Sequence, residues 1–120
     1  MTAEAPFRRG DVVWVRLDPV KGSEQGGRRP ALILSPDLIN AHSPVVLAAA
    51  ITSKKTERVF PFEALVMPPE GGLQKRSKVL LMQLRSLDRR RLEGVLGKLA
   101  PETMNRVDEA LRIATGLVRL

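Results

Sequence analysis

The chain has 120 residues, enough for one compact core and too few for two. It contains no cysteine and a single histidine, His42, which excludes disulfides, thiolate metal sites, thiol nucleophiles and His-rich metal clusters. Twenty Lys and Arg against thirteen Asp and Glu give a net charge of +7, and a field of that sign attracts polyanions, nucleic acid first, or an acidic protein.

The excess is not a detachable tail. Six basic residues stand against five acidic in 1–40, six against three in 41–80, and eight against five in 81–120. Met1–Pro6 is small and acidic, without the basic-then-apolar order of a signal peptide. Residues 1–7 therefore read as a flexible tail before one domain, 8–120. The longest apolar run, Val45–Ile51, is far too short to span a bilayer, so a soluble, cytoplasmic protein with no membrane partner is expected.

Asp11–Asp18 (DVVWVRLD) alternates Val13, Val15 and Leu17 with Val12, Trp14 and Arg16, a β pattern ended by Pro19. A lone Trp in such a strand is core more often than a base-stacking platform. Val20–Arg28 (VKGSEQGGR) is a glycine-rich polar loop. Pro30–Ser35 (PALILS) is a buried strand stopped by Pro36. Asp37–Ser43 is a connection with room for one helical turn, and Val45–Thr52 (VVLAAAIT) is a second buried strand whose alanines leave space for a close neighbour.

Ser53–Arg58 (SKKTER) is a basic turn, and Pro61–Val66 is a half-buried strand with Phe62, Ala64 and Val66 on one face. A Pro-Pro-Glu-Gly-Gly loop precedes a strand over Lys78–Leu87. Asp88–Arg91 is a charged turn, either a solvated face or a protein contact. Glu93–Leu99 places Val95, Gly97 and Leu99 on one face, its glycines suggesting a bend or bulge. From Pro101 to Leu120 the period changes. Met104, Val107, Leu111, Ala114 and Val118 form a helical stripe, with Glu102–Arg106 and Asp108–Arg112 spaced for ion pairs. Pro101 suits the first helical position, although Ala100 is a poor cap. Six strands and a long C-terminal helix predict a mostly-β (α+β) domain of small-barrel type.

Chemistry concentrates between Gly10 and Ser35, where a strand, a Gly-rich loop, Arg28-Arg29-Pro30 and a second strand follow in order. A residue before proline is biased to extended backbone, which helps pin the base of Arg29. A guanidinium so held can grip a phosphate bidentately and stabilise charge growing on it. The plainer alternative is an arginine pair that only solvates a loop end.

Gly10-Asp11-Val12, Trp14, Asp18-Pro19, Gly22-Ser23-Glu24-Gln25, Gly27, Arg29-Pro30 and Ser35 stand in the order found at the N-terminus of the MazF/PemK toxins. Ala49–Thr52, Leu80–Asp88 and Val107–Leu111 fall where that family has matching blocks, so the chain resembles it over residues 8–119. The resemblance implies an SH3-like barrel with a C-terminal helix, working as a homodimer. It implies metal-independent, sequence-specific cleavage of single-stranded mRNA, without a cofactor, by an endoribonuclease held in check by a cognate antitoxin with an acidic flexible segment.

Mapped residue by residue, the resemblance makes Arg29 and Thr52 catalytic and Glu24 the loop carboxylate for proton transfer. Glu24 is the one carboxylate of the Gly-rich loop, and pairing with Arg28 or Lys21 is its alternative role. Ser23, Gln25, Arg28, Ser53, Lys54, Lys55 and Gln83 are the expected RNA contacts, Gln83 because an amide both donates and accepts at a base edge. Family members often carry an acidic residue before that glutamine. Here it is Met82, which leaves the base preference of the subsite open. Two rivals remain at this level: a gyrase-poisoning toxin of the same barrel, and an RNA-binding barrel that does no chemistry. The first relies on a C-terminal Trp-Gly-Ile, whereas this chain ends Val118-Arg119-Leu120.

Overall fold

The computed structural model describes residues 6–16 and 27–119. Along the chain run β1 (Asp11–Arg16), β2 (Arg28–Ile33), a short helix α1 (Asp37–His42) and β3 (Val45–Thr52). Then come β4 (Glu63–Val66), a 3₁₀ turn (Glu70–Gly72), β5 (Ser77–Asp88), a second 3₁₀ turn (Arg89–Arg91), β6 (Leu92–Lys98) and helix α2 (Pro101–Ala114). The strands form one antiparallel sheet in the order β4-β5-β3-β2-β1-β6.

Both faces of this sheet are buried in part, because side chains alternate with period two. Val12, Leu32, Ile51, Val79 and Leu81 enter a first core closed by Val107 and Ala110 of α2. Val13, Val15, Ala31, Ile33, Val46 and Ala48 enter a second on the opposite face, where Phe7 and Leu92 pack. Each fully buried Leu, Ile or Val contributes about 1.5–3 kcal/mol. A polar knot ties α1 to the sheet: the Ser35 hydroxyl donates to Asn40 Oδ1 (2.5 Å), and Leu47 N–H donates to Ser35 Oγ (3.0 Å). Ser35 is thus structural.

The mostly-β fold with a C-terminal helix is as expected, with differences that have local causes. The sheet is not closed into a barrel by hydrogen bonds between its edges β4 and β6. Instead the 3₁₀ turn after β4 lies against β6 at a distance only glycine permits. A Cβ on Gly97 would come within 2.6 Å of the Gly71 carbonyl carbon, and Gly71 itself has φ +68°. In β6 the pairing with β1 slips between Val12 and Val13, so Val12 faces Gly97 while Val13 faces Val95. That bulge turns Leu96 onto the core and leaves Val95 exposed, separating it from Leu99.

Helix α2 buries Val107 and packs Met104, Leu111 and Ala114 on the first core, as its stripe predicts. It ends at Ala114, six residues short of the expected Leu120. Gly116 adopts φ +77°, its N–H donates to Ile113 O (3.1 Å), and Leu117 N–H donates to Arg112 O (2.8 Å). Those two bonds are a Schellman cap. Neither expected ion pair forms: Asp108 is taken by Arg9 (2.5 Å), and Arg106 donates to Leu65 O (3.1 Å).

At the other end the capless Ala100 is compensated from a distant element. The Glu70 carboxylate accepts from Ala100 N–H (2.8 Å) and from the Thr103 hydroxyl (2.9 Å). One side chain therefore caps α2 and anchors the turn that buttresses β6. Glu70→Ala should lower stability by about 1–2 kcal/mol in urea unfolding, in line with a lost cap, whereas exposed Glu102→Ala should change it by less than about 0.5 kcal/mol. Equal effects would assign the cap no role.

Candidate active site

The β2–β3 ladder positions the two central side chains. It pairs Ile33 with Ala48, Leu32 with Ala49, and Ala31 with Ala50. The next residue is Pro30, which has no N–H to donate, and the ladder stops. Counting on in the same register sets Pro30 level with Ile51 and Arg29 level with Thr52. Directly opposed residues of an antiparallel pair share a face, so guanidinium and hydroxyl flank one gap. The row continues across the sheet: Val15 opposes Arg29, Thr52 opposes Lys78, and Lys78 opposes Leu65.

The gap opens into a surface groove of about 680 Å³. Its floor is Ala31, Ala48 and Ala50, so the small residues of β3 make room for a ligand as well as for a neighbouring strand. Arg29, Thr52, Ser53, Lys54 and Gln83 all line it. Among the described residues Arg29 has no hydrogen-bond or ion-pair partner. The Thr52 Oγ1 accepts from Lys54 N–H (3.1 Å). That bond occupies the oxygen and leaves the hydroxyl proton to donate elsewhere.

Gln83 reaches the groove through a bulge. Along β5, Leu84 opposes Ala49 and Leu80 opposes Ala50, so Leu81, Met82 and Gln83 are unmatched on β3. Leu81 turns into the core, and Met82 is 65% exposed. Arg28 and Arg29 lie on opposite faces because they are neighbours on a strand. Arg28 stacks its guanidinium over Trp14, 4.7 Å from the ring centroid, and neither it nor Lys55 lines the groove. Ser23, Glu24 and Gln25 lie outside the described residues. Trp14, weighted towards the core by sequence, belongs to neither apolar cluster and stands half-buried at the groove wall.

Sequence reasoning passed over Gln74, Lys75 and Arg85, which also line the groove. For Arg85 the signal was present in the alternation Gln83, Arg85, Leu87. Lys75 depends on where the loop after Gly72 travels, which no local pattern reports. The triple arginine is largely consumed by the fold: Arg89 donates to Ser43 O (3.3 Å), and Arg90 grips Asp88 (2.9 Å).

Among the described residues, the six-stranded sheet carries an open groove with Arg29, Lys54, Lys75 and Arg85 along it and the Thr52 hydroxyl at its side, which defines a small β-domain with a cationic groove. Comparison with known proteins makes this specific. The chain belongs to the family of PemK-like, MazF-like toxins of type II toxin–antitoxin systems, matched over residues 8–115. It is 40% identical over 111 residues to endoribonuclease EndoA of Bacillus subtilis (strain 168), covering 92% of this chain and 96% of that one. Among solved structures, a MazE–MazF complex of Deinococcus radiodurans superposes with TM-score 0.76 at 34% identity, covering 93% and 97% of the two chains. An endoribonuclease in complex with its cognate antitoxin from mycobacteria superposes at 0.77 with 27% identity, covering 95% and 99%.

Beside the second 3₁₀ turn, hydrogen bonds from the Arg90 side chain and backbone lower the Asp88 carboxyl from 3.8 to about 2. A carboxyl depressed in the folded state stabilises it above the unfolded value and loses that contribution as pH falls towards the folded one. A carbon-detected NMR titration should place the Asp88 midpoint near 2, and Arg90→Ala should return it towards 3.8. An unchanged midpoint in the variant would rule out the arginine side chain as cause and leave the backbone N–H of residue 90.

Proposed function

We propose that the protein is a sequence-specific, metal-independent endoribonuclease toxin that cuts single-stranded mRNA in the cytoplasm and is neutralised by a cognate antitoxin. The endoribonuclease toxin reading rests on the family and on the likeness to EndoA. The finer reading is carried by one observation: Arg29 and Thr52 flank the same gap on one face of the sheet.

RNA supplies its own nucleophile. The 2′-OH attacks the adjacent phosphorus in line, the P–O5′ bond breaks, and the products are a 2′,3′-cyclic phosphate and a 5′-OH. Such chemistry needs no bound water or metal, and among the described residues no three His, Asp or Glu side chains gather. It needs donors around the phosphate and a route for one proton off the 2′-oxygen and one onto the 5′-oxygen. Arg29 clamps the non-bridging oxygens and Thr52 donates a hydrogen bond to them. Arginine scarcely deprotonates, so Glu24 of the Gly-rich loop takes the proton from the 2′-oxygen, and solvent supplies the proton that the departing 5′-oxygen takes up. Ser53 and Lys54 follow the backbone on one bank, Gln83 reads a base edge from the other, Ser23 and Gln25 add contacts from the Gly-rich loop, and Arg28 and Lys55 meet the RNA outside the groove. The active form is a homodimer, to which the sheet and α2 contribute. The net +7 favours an antitoxin whose acidic flexible segment lies across the groove.

The test is cleavage of a long RNA in excess EDTA, mapped by primer extension, with the termini identified chemically. Cuts should recur at one short motif and leave cyclic phosphate and 5′-OH ends. RNA bound but left intact would mean a binding barrel, and 5′-phosphate ends would make water the nucleophile. In single-turnover assays Arg29→Ala should slow cleavage at least a few hundredfold, about 3–4 kcal/mol for one lost donor. Arg29→Lys should recover little, because the planar fork is gone. Cleavage by Arg29→Ala within tenfold of wild type would remove the arginine from the mechanism.

A further inference from the structure

The cation next to Thr52 in the cross-sheet row takes no part in the mechanism above. Lys78 and Glu63 form an ion pair of 2.8 Å with side chains only 6% and 10% exposed. Burying two charges is costly, and removing one partner costs more than the pair contributes, so the contact is rigid. It also fixes a segment. Lys78 Nζ donates to Arg58 O (2.9 Å), and Glu63 Oε1 accepts from Phe60 N–H (3.0 Å).

What this clamp presents is aromatic. Phe60 is 40% exposed, and its ring stacks on Phe62 with centroids 5.4 Å apart and planes within 1°. Neither ring belongs to either apolar core. The Arg58 guanidinium carbon lies 5.4 Å from the Phe60 centroid, and Lys78 Nζ lies 5.9 Å from it. A flat apolar surface with the Arg58 guanidinium on it suits a ligand that is both planar and anionic along its length. A protein partner matched by shape alone would not require that charge, and single-stranded nucleic acid has both properties.

We propose that the Phe60–Phe62 stack is a nucleobase-binding subsite beside the Thr52 end of the groove, held in place by the Lys78–Glu63 pair. It takes an unpaired base of the RNA flanking the scissile phosphate on the Thr52 bank. The base enters the pile at the position Arg58 now occupies and frees that guanidinium for its phosphate. This rests on the endoribonuclease reading and deepens it, since the subsite extends the RNA track beyond the reacting phosphate.

The probes are a single-stranded RNA carrying the mapped cleavage motif with long flanks, and the same RNA trimmed to the motif. Each is used as a cleavable substrate and, with a 2′-deoxy nucleotide at the cut, as a binding ligand. Phe60→Ala should raise KM and Kd for the flanked RNA at least about fivefold, the low end of base–aromatic stacking. It should leave kcat within twofold and the trimmed RNA unaffected. Phe60→Leu keeps apolar bulk without a flat face and should behave like Phe60→Ala, whereas Phe60→Trp should restore affinity. Unchanged KM and Kd for flanked RNA would overturn the subsite. Equal losses on flanked and trimmed RNA would reduce Phe60 to a structural part, and weakened antitoxin affinity with normal RNA binding would make the patch a protein contact. Failure of the wild type to cleave, with Phe60-dependent binding intact, would strike the enzymatic reading and leave the subsite standing.

Discussion

Everything at the site depends on where the β2–β3 ladder stops. Three paired positions, Ala31 to Ile33, hold the register, and Pro30 then withholds the donor that a fourth would need. If the ladder ran on, the backbones at Arg29 and Thr52 would be joined as in any sheet interior. Because it ends, the strands remain aligned but open, and the alanines behind them leave the floor low. The proline thus has two effects. It biases Arg29 to extended backbone and ends the pairing beside it.

The rest of the fold keeps that opening rigid. Core clusters on both faces of the sheet hold β2 and β3. The bulge in β5 brings Gln83 to the groove while Leu81 remains buried, a division that a regular strand cannot make at two positions only two apart. At the far end, Glu70 caps α2, and its turn seats against β6 through Gly71 and Gly97. The sheet edge is thereby protected without barrel closure. The open face is left for an elongated ligand.

Much of this was legible in the residues. Alternation located the strands, and β3 falls at Val45–Thr52 as the apolar run indicates. The arginine before proline marked one bank, whereas Thr52 on the other was marked only by the resemblance to the toxin family. What could not be read was non-local. That Glu70 caps a helix thirty residues away depends on packing, not on any capping motif. The ion pairs expected within α2 lost to Arg9 and the Leu65 carbonyl, because tertiary partners outcompete exposed helical spacings that contribute only a few tenths of a kcal/mol. Val118 extended the helical stripe in the sequence, whereas the chain leaves the helix at Gly116 with φ +77°. The burial of Lys78 in a basic stretch had no sequence signal, since its partner Glu63 lies on another strand.

The central claim is that Arg29 and Thr52 act on one phosphate across an open ladder. A double-mutant cycle of Arg29→Ala and Thr52→Val in single-turnover cleavage tests it most directly, with thermal unfolding as the control for folding. Groups serving the same atoms couple strongly. The double variant should therefore be at least tenfold faster than the product of the two single losses predicts, with all four proteins unfolding at similar temperatures. Losses that multiply independently would place the two residues on separate tasks and contradict the account.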